Sequence, residues 1–278
     1  MDTIELSISI DPKEPWSDIV ISQLSDLGFD SFVDTEEGLL AYAPASIDLD
    51  EVIANTLLAH PEEFVCTLKK TLIPHQNWNA TWEENFSPVV IENYATIVAP
   101  FHDRAESLGE VVVIQPQMSF GTGHHQTTWM MTKALFELEN MPASVLDMGT
   151  GTGVLAVYAE RLGAESILAI DIEEWSAQNA RENVDRNDCK KIECVWGDID
   201  QVVGRKFGLI IANINKNILK QHMETYVKAL ENQGTILLSG FFGTDVEEMV
   251  QFCKDFGLEK SKLFSKDEWA CIQLVKMN

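Results

Sequence analysis

Ile4, Leu6, Ile8 and Ile10 alternate with polar residues, the period-two pattern of a strand with one covered face. Asp11-Pro12 turns the chain, and Trp16, Ile19, Val20, Gln23, Leu24 and Leu27 then recur at helical spacing as far as Gly28. Phe29 to Val33 and Leu39 to Ala43 are extended runs flanking an acidic turn that contains Gly38, which predicts a hairpin. Asp48 to Ala59 reads as a helix capped by Asp48 or Asp50, and Phe64 to Ile73 as a further strand. The order β-α-β-β-α-β predicts a small ferredoxin-like α+β domain over residues 1–75. It carries no catalytic constellation, so its layout alone assigns no function.

Asn77 to Pro88 is polar, with Trp78 and Trp82 four apart and so on one face of any helix there. A packed linker over 76–93 is the reading, with a ligand platform as its alternative. A second domain is expected over 94–278. Strands are predicted at Tyr94 to Ala99 and Val111 to Gln115, a helix at Trp129 to Leu138, and then a regular α/β alternation. Its strands are Ser144 to Leu146, Ser166 to Ile170, Ile192 to Val195, Phe207 to Ala212 and Gly234 to Ser239. Helices are expected at Val154 to Leu162, Trp175 to Asn187, Leu219 to Leu230 and Val246 to Phe256. Leu258 to Phe264 and Trp269 to Lys276 follow with no helix between them, so they should pair antiparallel. The chain therefore predicts an α/β fold: a Rossmann-like, mostly parallel sheet closed by an antiparallel C-terminal hairpin, beside the ferredoxin-like domain.

The chemistry concentrates at residues 145–153, Val-Leu-Asp-Met-Gly-Thr-Gly-Thr-Gly. Strand, glycine-rich turn and helix together let a backbone approach a nucleotide-like ligand. Asp171 ends the next strand, where an acidic residue takes ribose hydroxyls. A dinucleotide fingerprint would need its third glycine at position 154, which is Val154. Instead Gly149, Gly151 and Gly153 follow Asp147, an acidic group poorly placed beside a pyrophosphate. It suits a ligand with a cationic centre and an ammonium group, and S-adenosylmethionine (SAM) has both. A glycine-rich turn without a ligand is the alternative. Asp198, at the third strand end, either accepts from the adenine amino group or is an ordinary turn aspartate. Asn213 sits at the carboxyl edge of the fourth strand, where α/β sheets bind ligands.

Composition narrows the partners. The net charge is −24, and residues 1–75 hold fifteen acidic side chains against three basic ones. Such a surface repels nucleic acid, whose binders carry a basic face, and attracts a basic partner; solubility is the alternative reading of the acidity. The 45% hydrophobic content is that of a soluble globular chain. No run reaches about 18 apolar residues, so no membrane span is expected, and the amphipathic first strand predicts no signal peptide. Five cysteines without C-x-x-C spacing predict reduced thiols in a cytoplasmic protein. A monomer is expected.

A second motif, Ser119-Phe-Gly-Thr-Gly-His-His-Gln-Thr-Thr128, opens the helix at Trp129. Thr127 and Thr128 either cap that helix or touch the cofactor. His124 and His125 are adjacent, so their side chains diverge, and no cysteine or carboxylate cluster completes a metal set; no metal is expected. The lysine-serine/threonine ending of a phosphate-binding loop is absent. This loop resembles the hallmark loop of the PrmA family, methyltransferases of large-ribosomal-subunit protein eleven. The resemblance extends to the Trp78 to Pro88 stretch, to Leu-Asp-Met-Gly-Thr-Gly-Thr-Gly, to Ala-Ile-Asp171, to Ala-Asn213-Ile214 and to Glu268-Trp269, covering most of residues 76–278. It departs where the family typically has Leu after Asn-Ile and this chain has Asn215.

The resemblance implies cofactor contacts at Thr128, Gly149, Asp171 and Asn213, to which the residue pattern adds Asp147, Gly151 and Asp198. It implies a transfer site lined by Phe120 to His124, so that Phe120, Thr122 and Asn213 are the candidate catalytic residues. It also implies methylation of the α-amine and lysine ε-amines of the ribosomal protein, commonly to trimethylation, with residues 1–75 holding that substrate. Nucleobase-amine methyltransferases carry Asn/Asp-Pro-Pro-Tyr/Phe at the position of Asn213-Ile214-Asn215-Lys216, which has neither proline nor aromatic. A protein amine is therefore the favoured substrate. The alternatives are a SAM methyltransferase for another protein or a small molecule, and a non-catalytic module that uses the fold as a scaffold.

Overall fold

Strand β8 (Ser144–Met148) is apolar on both faces because both are covered, and its neighbours grow outward from it. In the computed structural model, which describes residues 2–74, 82, 83, 85–104 and 107–278, the chain divides into two compact units, residues 1–85 and 86–278. Trp78 lies outside the described residues, so the expected pairing of Trp78 with Trp82 does too, as do residues 76–81 and 84 of the stretch read as linker.

In the first unit, β1 (Thr3–Asp11), β2 (Ser31–Thr35), β3 (Gly38–Pro44) and β4 (Val65–Ile73) form an antiparallel sheet in the order β2-β3-β1-β4. That is the ferredoxin-like order. The alternation in β1 works as expected: Ile4, Leu6, Ile8 and Ile10 are buried in the core of the unit. Helix α1 (Trp16–Asp26) buries Ser17, Val20 and Leu24, so its inner stripe is rotated from the expected one and Ile19 is exposed. Helix α2 (Leu49–Ala54) is capped by Asp48 but ends sooner than its pattern predicts. Asn55 turns its side-chain amide back onto the Glu51 carbonyl, Thr56 is extended, and the chain resumes as a single 3-10 turn at Leu57–Ala59.

The second unit opens with β5 (Val89–Ile91), β6 (Ala95–Val98) and β7 (Glu110–Val113), a three-stranded sheet whose first strand falls in the stretch read as linker. Helix α3 (Gln126–Phe136) leads to β8, and the alternation continues through α4 (Val154–Arg161), β9 (Ser166–Asp171), α5 (Glu174–Arg186), β10 (Ile192–Trp196), β11 (Phe207–Asn213), α6 (Lys216–Ala229), β12 (Leu230–Phe242) and α7 (Val246–Lys254). Strands β13 (Leu258–Lys266) and β14 (Trp269–Lys276) form the antiparallel hairpin. The seven-stranded sheet runs β10-β9-β8-β11-β12-β14-β13, parallel except for β14 against both its neighbours. This is the Rossmann-like methyltransferase arrangement that the sequence predicts. Alternate residues of one strand serve opposite cores: Val145 packs with α3 and α4, Leu146 with α6 and α7. Strand order reverses between β8 and β11, so the chain leaves their carboxyl ends in opposite directions and a crevice opens there.

Candidate active site

The Gly-Thr-Gly-Thr-Gly turn after β8 depends on glycine for its path. Gly149 and Gly151 have φ of +74° and +55°, in the left-handed region, and a Cβ on Gly151 would meet the Phe120 carbonyl oxygen at 2.1 Å. The turn is fastened to β9: Gly149 N and Thr150 N both donate to Ile170 O at 2.9 Å, and Gly151 N donates to Asp171 Oδ2 at 2.8 Å. Asp171 Oδ1 accepts from Glu173 N at 3.0 Å. Two backbone donors thus fix the carboxylate, and each oxygen keeps acceptor capacity for a ligand hydroxyl.

Asp147 lies beneath this turn rather than on its surface. It is 1% exposed and accepts from the Thr150 hydroxyl at 2.6 Å. Burial, and then the neighbouring Asp171, push its carboxyl up to about 7, against hydrogen bonds from Thr150 and the Ala156 N–H. Asp147 shapes the turn from inside.

The loop at 119–124 rests on the same turn. Thr152 N donates to Phe120 O at 2.9 Å, and the Thr152 hydroxyl donates to Gly121 O at 2.8 Å. The Thr122 hydroxyl faces His124 Nδ1 at 3.2 Å, while His124 Nε2 donates to Ser87 O at 3.0 Å. His125 is the N-cap of α3: its Nδ1 faces the Thr127 hydroxyl at 2.8 Å and accepts from Thr127 N at 3.3 Å. Neither Thr127 nor Thr128 caps the helix, because it starts three residues earlier than its apolar spacing predicts. An imidazole that accepts at Nδ1 carries its neutral-form proton at Nε2, which leaves no lone pair there to receive a proton. Burial also holds His125 below its ordinary pKa. The Thr128 hydroxyl is buried and has no hydrogen-bond partner among the described residues.

Two cavities open at the carboxyl ends of the strands. The first, about 250 Å³, is largely apolar and is lined by Met148, Gly149, Ile172, Asp198, Ile214 and His222, among others. The second, about 190 Å³, is lined by Phe120, His125, Thr127, Asn213, Ile214 and Trp269, among others. Ile214 borders both and divides them. It is seated between two glycines: a Cβ on Gly149 would lie 2.2 Å from Ile214 Cγ2, and one on Gly240 would lie 2.2 Å from Ile214 O. Aromatic rings wall the second cavity, with His125 edge-on to Trp269 at 4.7 Å and Phe120 5.1 Å from His125; Phe242 packs 4.4 Å from Trp269 outside that lining.

The structure therefore brings Gly149 and Asp198 to one cavity and Phe120 and Asn213 to the other. Thr122 lines neither of these two. Asp198 lines the first cavity, and its Oδ1 accepts from Ile199 N at 2.7 Å to start a 3-10 turn, the turn role read for it. Asn215 is the N-cap of α6, its Oδ1 accepting from Asn217 N at 2.9 Å. His222 and Trp269 were not chosen from the sequence as site residues. Trp269 was within reach, because Glu268-Trp269 belongs to the resemblance; His222 carried no signal.

The profile of the family described as Ribosomal protein L11 methyltransferase (PrmA) matches residues 18–277. The chain belongs to the ribosomal protein L11 methyltransferase family. It is 39% identical over 261 residues to the ribosomal protein L11 methyltransferase of Porphyromonas gingivalis, covering 93% of this chain and 90% of that one. The corresponding protein of Phocaeicola vulgatus is 35% identical over 283 residues, 99% of each chain. A crystal structure of a ribosomal protein L11 methylase from Lactobacillus delbrueckii subsp. bulgaricus superposes with a TM-score of 0.64 at 26% identity, over 69% of this chain and 100% of that one.

The methyl donor of the family is SAM, and the residues present suit it. The apolar slot with a single carboxylate matches a purine bearing an amino group, and Asp171 matches a ribose diol. The turn without Cβ atoms admits a close approach, and the unpartnered Thr128 hydroxyl offers a donor and an acceptor to a polar group. Among the described residues no cluster of three or more His, Cys, Asp and Glu is placed to hold a metal ion, and no helix is long and apolar enough to cross a membrane.

Proposed function

We propose that the protein methylates ribosomal protein L11 on its α-amine and on lysine ε-amines, as far as trimethylation, with SAM as donor. The observation that carries this reading is the pair of cavities divided by Ile214, one an apolar slot ending in Asp198 and the other walled by aromatic rings beside Asn213. Thr128, Gly149, Gly151, Asp171 and Asp198 hold the cofactor, with Asp147 supporting the turn from below. Phe120, Asn213 and Trp269 receive the amine. Thr122 acts one step back, ordering the loop through His124.

SAM, when bound, supplies an electrophilic methyl group whose transfer leaves a neutral thioether. The chain's task is to present a neutral amine, since a free lysine amine with pKa about 10.4 arrives protonated. Partly desolvating walls disfavour the ammonium form, and the Asn213 side-chain carbonyl accepts an amine N–H, aiming the lone pair at the methyl. As the new C–N bond forms, positive charge builds on nitrogen, where the faces of Phe120 and Trp269 stabilise it. The proton is released to water, because neither His124 nor His125 has an unengaged acceptor nitrogen. The first unit supplies an acidic surface for a basic protein, and the five free cysteines fit a cytoplasmic enzyme.

Intact-mass spectrometry of purified L11 after incubation with the enzyme and SAM tests the reading. Mass gains in steps of about 14 Da per methyl, absent with a folded Asp171→Ala variant, are expected. Unmodified L11 in the presence of a SAM-binding enzyme would reject L11 as the substrate.

A further inference from the structure

The first cavity contains a buried polar chain that methyl transfer itself does not require. His222, on α6, lines the cavity yet is only 6% exposed. Its Nδ1 lies 3.4 Å from the Tyr226 hydroxyl, one helical turn further on, and its Nε2 lies 3.8 Å from Asp198 Oδ1. Tyr226 is fully buried. Burial, with Asp198 nearby, raises its phenol well above the ordinary range, so the hydroxyl stays protonated. That proton needs an acceptor, and among the described residues His222 Nδ1 faces it.

The consequence for the imidazole is a fixed tautomer. A neutral ring that accepts at Nδ1 carries its hydrogen at Nε2, on the side facing Asp198. Burial keeps His222 below its ordinary pKa, opposed by the attraction of Asp198. The same Asp198 oxygen accepts from Ile199 N at 2.7 Å. Both of these contacts fall on Oδ1, and Oδ2 has no hydrogen bond among the described residues.

We propose that His222 is a positioning residue for cofactor recognition: backed by Tyr226, it orients the Asp198 carboxylate to accept from the exocyclic amine of the adenine ring, making the cavity selective for a 6-aminopurine. The inference rests on the cofactor assignment above and deepens it. A 6-oxopurine would set a carbonyl oxygen against the half-exposed carboxylate, leaving two acceptors with no proton between them, and sites built around such a hydrogen bond discriminate against the wrong partner. A histidine that merely filled the core would lower stability when replaced without altering this choice. Apart from Asp198, His222 and Gln221, the rest of the lining is apolar side chain and glycine.

The test is calorimetric titration of the full-length protein with S-adenosylhomocysteine and with S-inosylhomocysteine. The wild type should prefer the adenosyl compound by about tenfold or more. His222→Leu should shrink that ratio at least about fivefold, chiefly by weakening the adenosyl compound. Tyr226→Phe, which keeps the ring and removes only the hydroxyl, should move the ratio the same way by less. His222→Gln, whose amide nitrogen can replace the Nε2–H, should restore most of it. An unchanged ratio in both His222→Leu and Tyr226→Phe overturns the proposal, whatever happens to stability. If His222→Leu does not fold, Tyr226→Phe decides alone. Failure of the wild type to bind S-adenosylhomocysteine at all would instead defeat the cofactor assignment on which the inference stands, and the inference with it.

Discussion

Gly149 and Gly257 share a φ of +74° but differ in their surroundings. A Cβ on Gly257 would meet nothing within 4 Å, whereas one on Gly149 would lie 2.2 Å from Ile214 Cγ2. Alanine at either position holds an L-residue in the left-handed region, at a cost of about 1–2 kcal/mol. At Gly257 that should be the whole effect. At Gly149 ordinary contact begins near 3.4 Å, so Ile214 must retreat by more than 1 Å. The Gly240 side gives no room, because Ile214 O already lies where a Cβ would be. Ile214 must therefore turn off its rotamer into one of the two cavities, adding about 1–3 kcal/mol of overpacking. The total for Gly149→Ala is about 2–5 kcal/mol. Urea unfolding of both variants measures the difference, following the transition that S-adenosylhomocysteine shifts, since the chain has two compact units and need not unfold in one step. Gly257→Ala should keep wild-type affinity for S-adenosylhomocysteine, and Gly149→Ala should lose at least about tenfold, the equivalent of 1.4 kcal/mol. Equal destabilisation of the two variants, or unchanged affinity in Gly149→Ala, would refute the idea that Ile214 is a seated divider.

Three further outcomes follow from the same geometry. Asp147 has its native pKa raised from 3.8 to about 7, so the native state binds this proton more tightly than the unfolded chain. Its contribution to stability is fully present below about pH 4 and lost as pH rises through about 7, by up to about 4 kcal/mol at 1.36 kcal/mol per unit; Asp147→Asn should flatten the decline in unfolding free energy between about pH 4 and 7, and an equally steep variant would contradict the assignment. Asn215→Ala removes the cap of α6 and should cost about 1 kcal/mol in urea unfolding while leaving the affinity for S-adenosylhomocysteine within about twofold. Trp269→Ala should lower kcat/KM for L11 about tenfold or more, through loss of a cation–π contact worth about 1–2 kcal/mol, with Trp269→Phe recovering most of it; a parallel loss of S-adenosylhomocysteine affinity would show that the ring supports the cofactor instead.

Much of this architecture is legible in residue order because local pattern and tertiary demand agree. The alternation from Ile4 to Ile10 and the apolar runs at 145–146 and 209–212 leave little choice of element or face. The turn at Gly149 to Gly153 is legible because only glycine tolerates its backbone. Val89–Ile91 is not legible: three apolar residues after Pro88 have no period, and only pairing with β6 makes them a strand. The break after Ala54 depends on the Asn55 side chain competing for the Glu51 carbonyl, which helical periodicity does not register. The start of α3 was missed because the capping group is His125, outside the usual Ser, Thr, Asp and Asn set. In the site, glycines and acids at strand ends announced themselves by type and position. Ile214, His222 and Trp269 gained their roles from chain segments far away in sequence. Asn215 is the reverse case: the residue that departs from the family pattern near the substrate has a plain local task as a cap.

The position of β14 governs when the protein becomes competent during its own synthesis. This strand is translated after every other strand of the seven-stranded sheet, yet it lies inside the sheet, between β12 and β13. Its first residue, Trp269, is also a wall of the second cavity. A chain that has not yet reached Trp269 therefore lacks one wall of the second cavity, and β12 has no neighbour on its outer side. Completing the sheet requires β14 to pair with β12, from Phe242 against Trp269 to Thr235 against Val275, a non-local step. The second cavity is therefore complete only once translation has passed residue 269, whereas the glycine turn and Asp171 are already part of the chain by then.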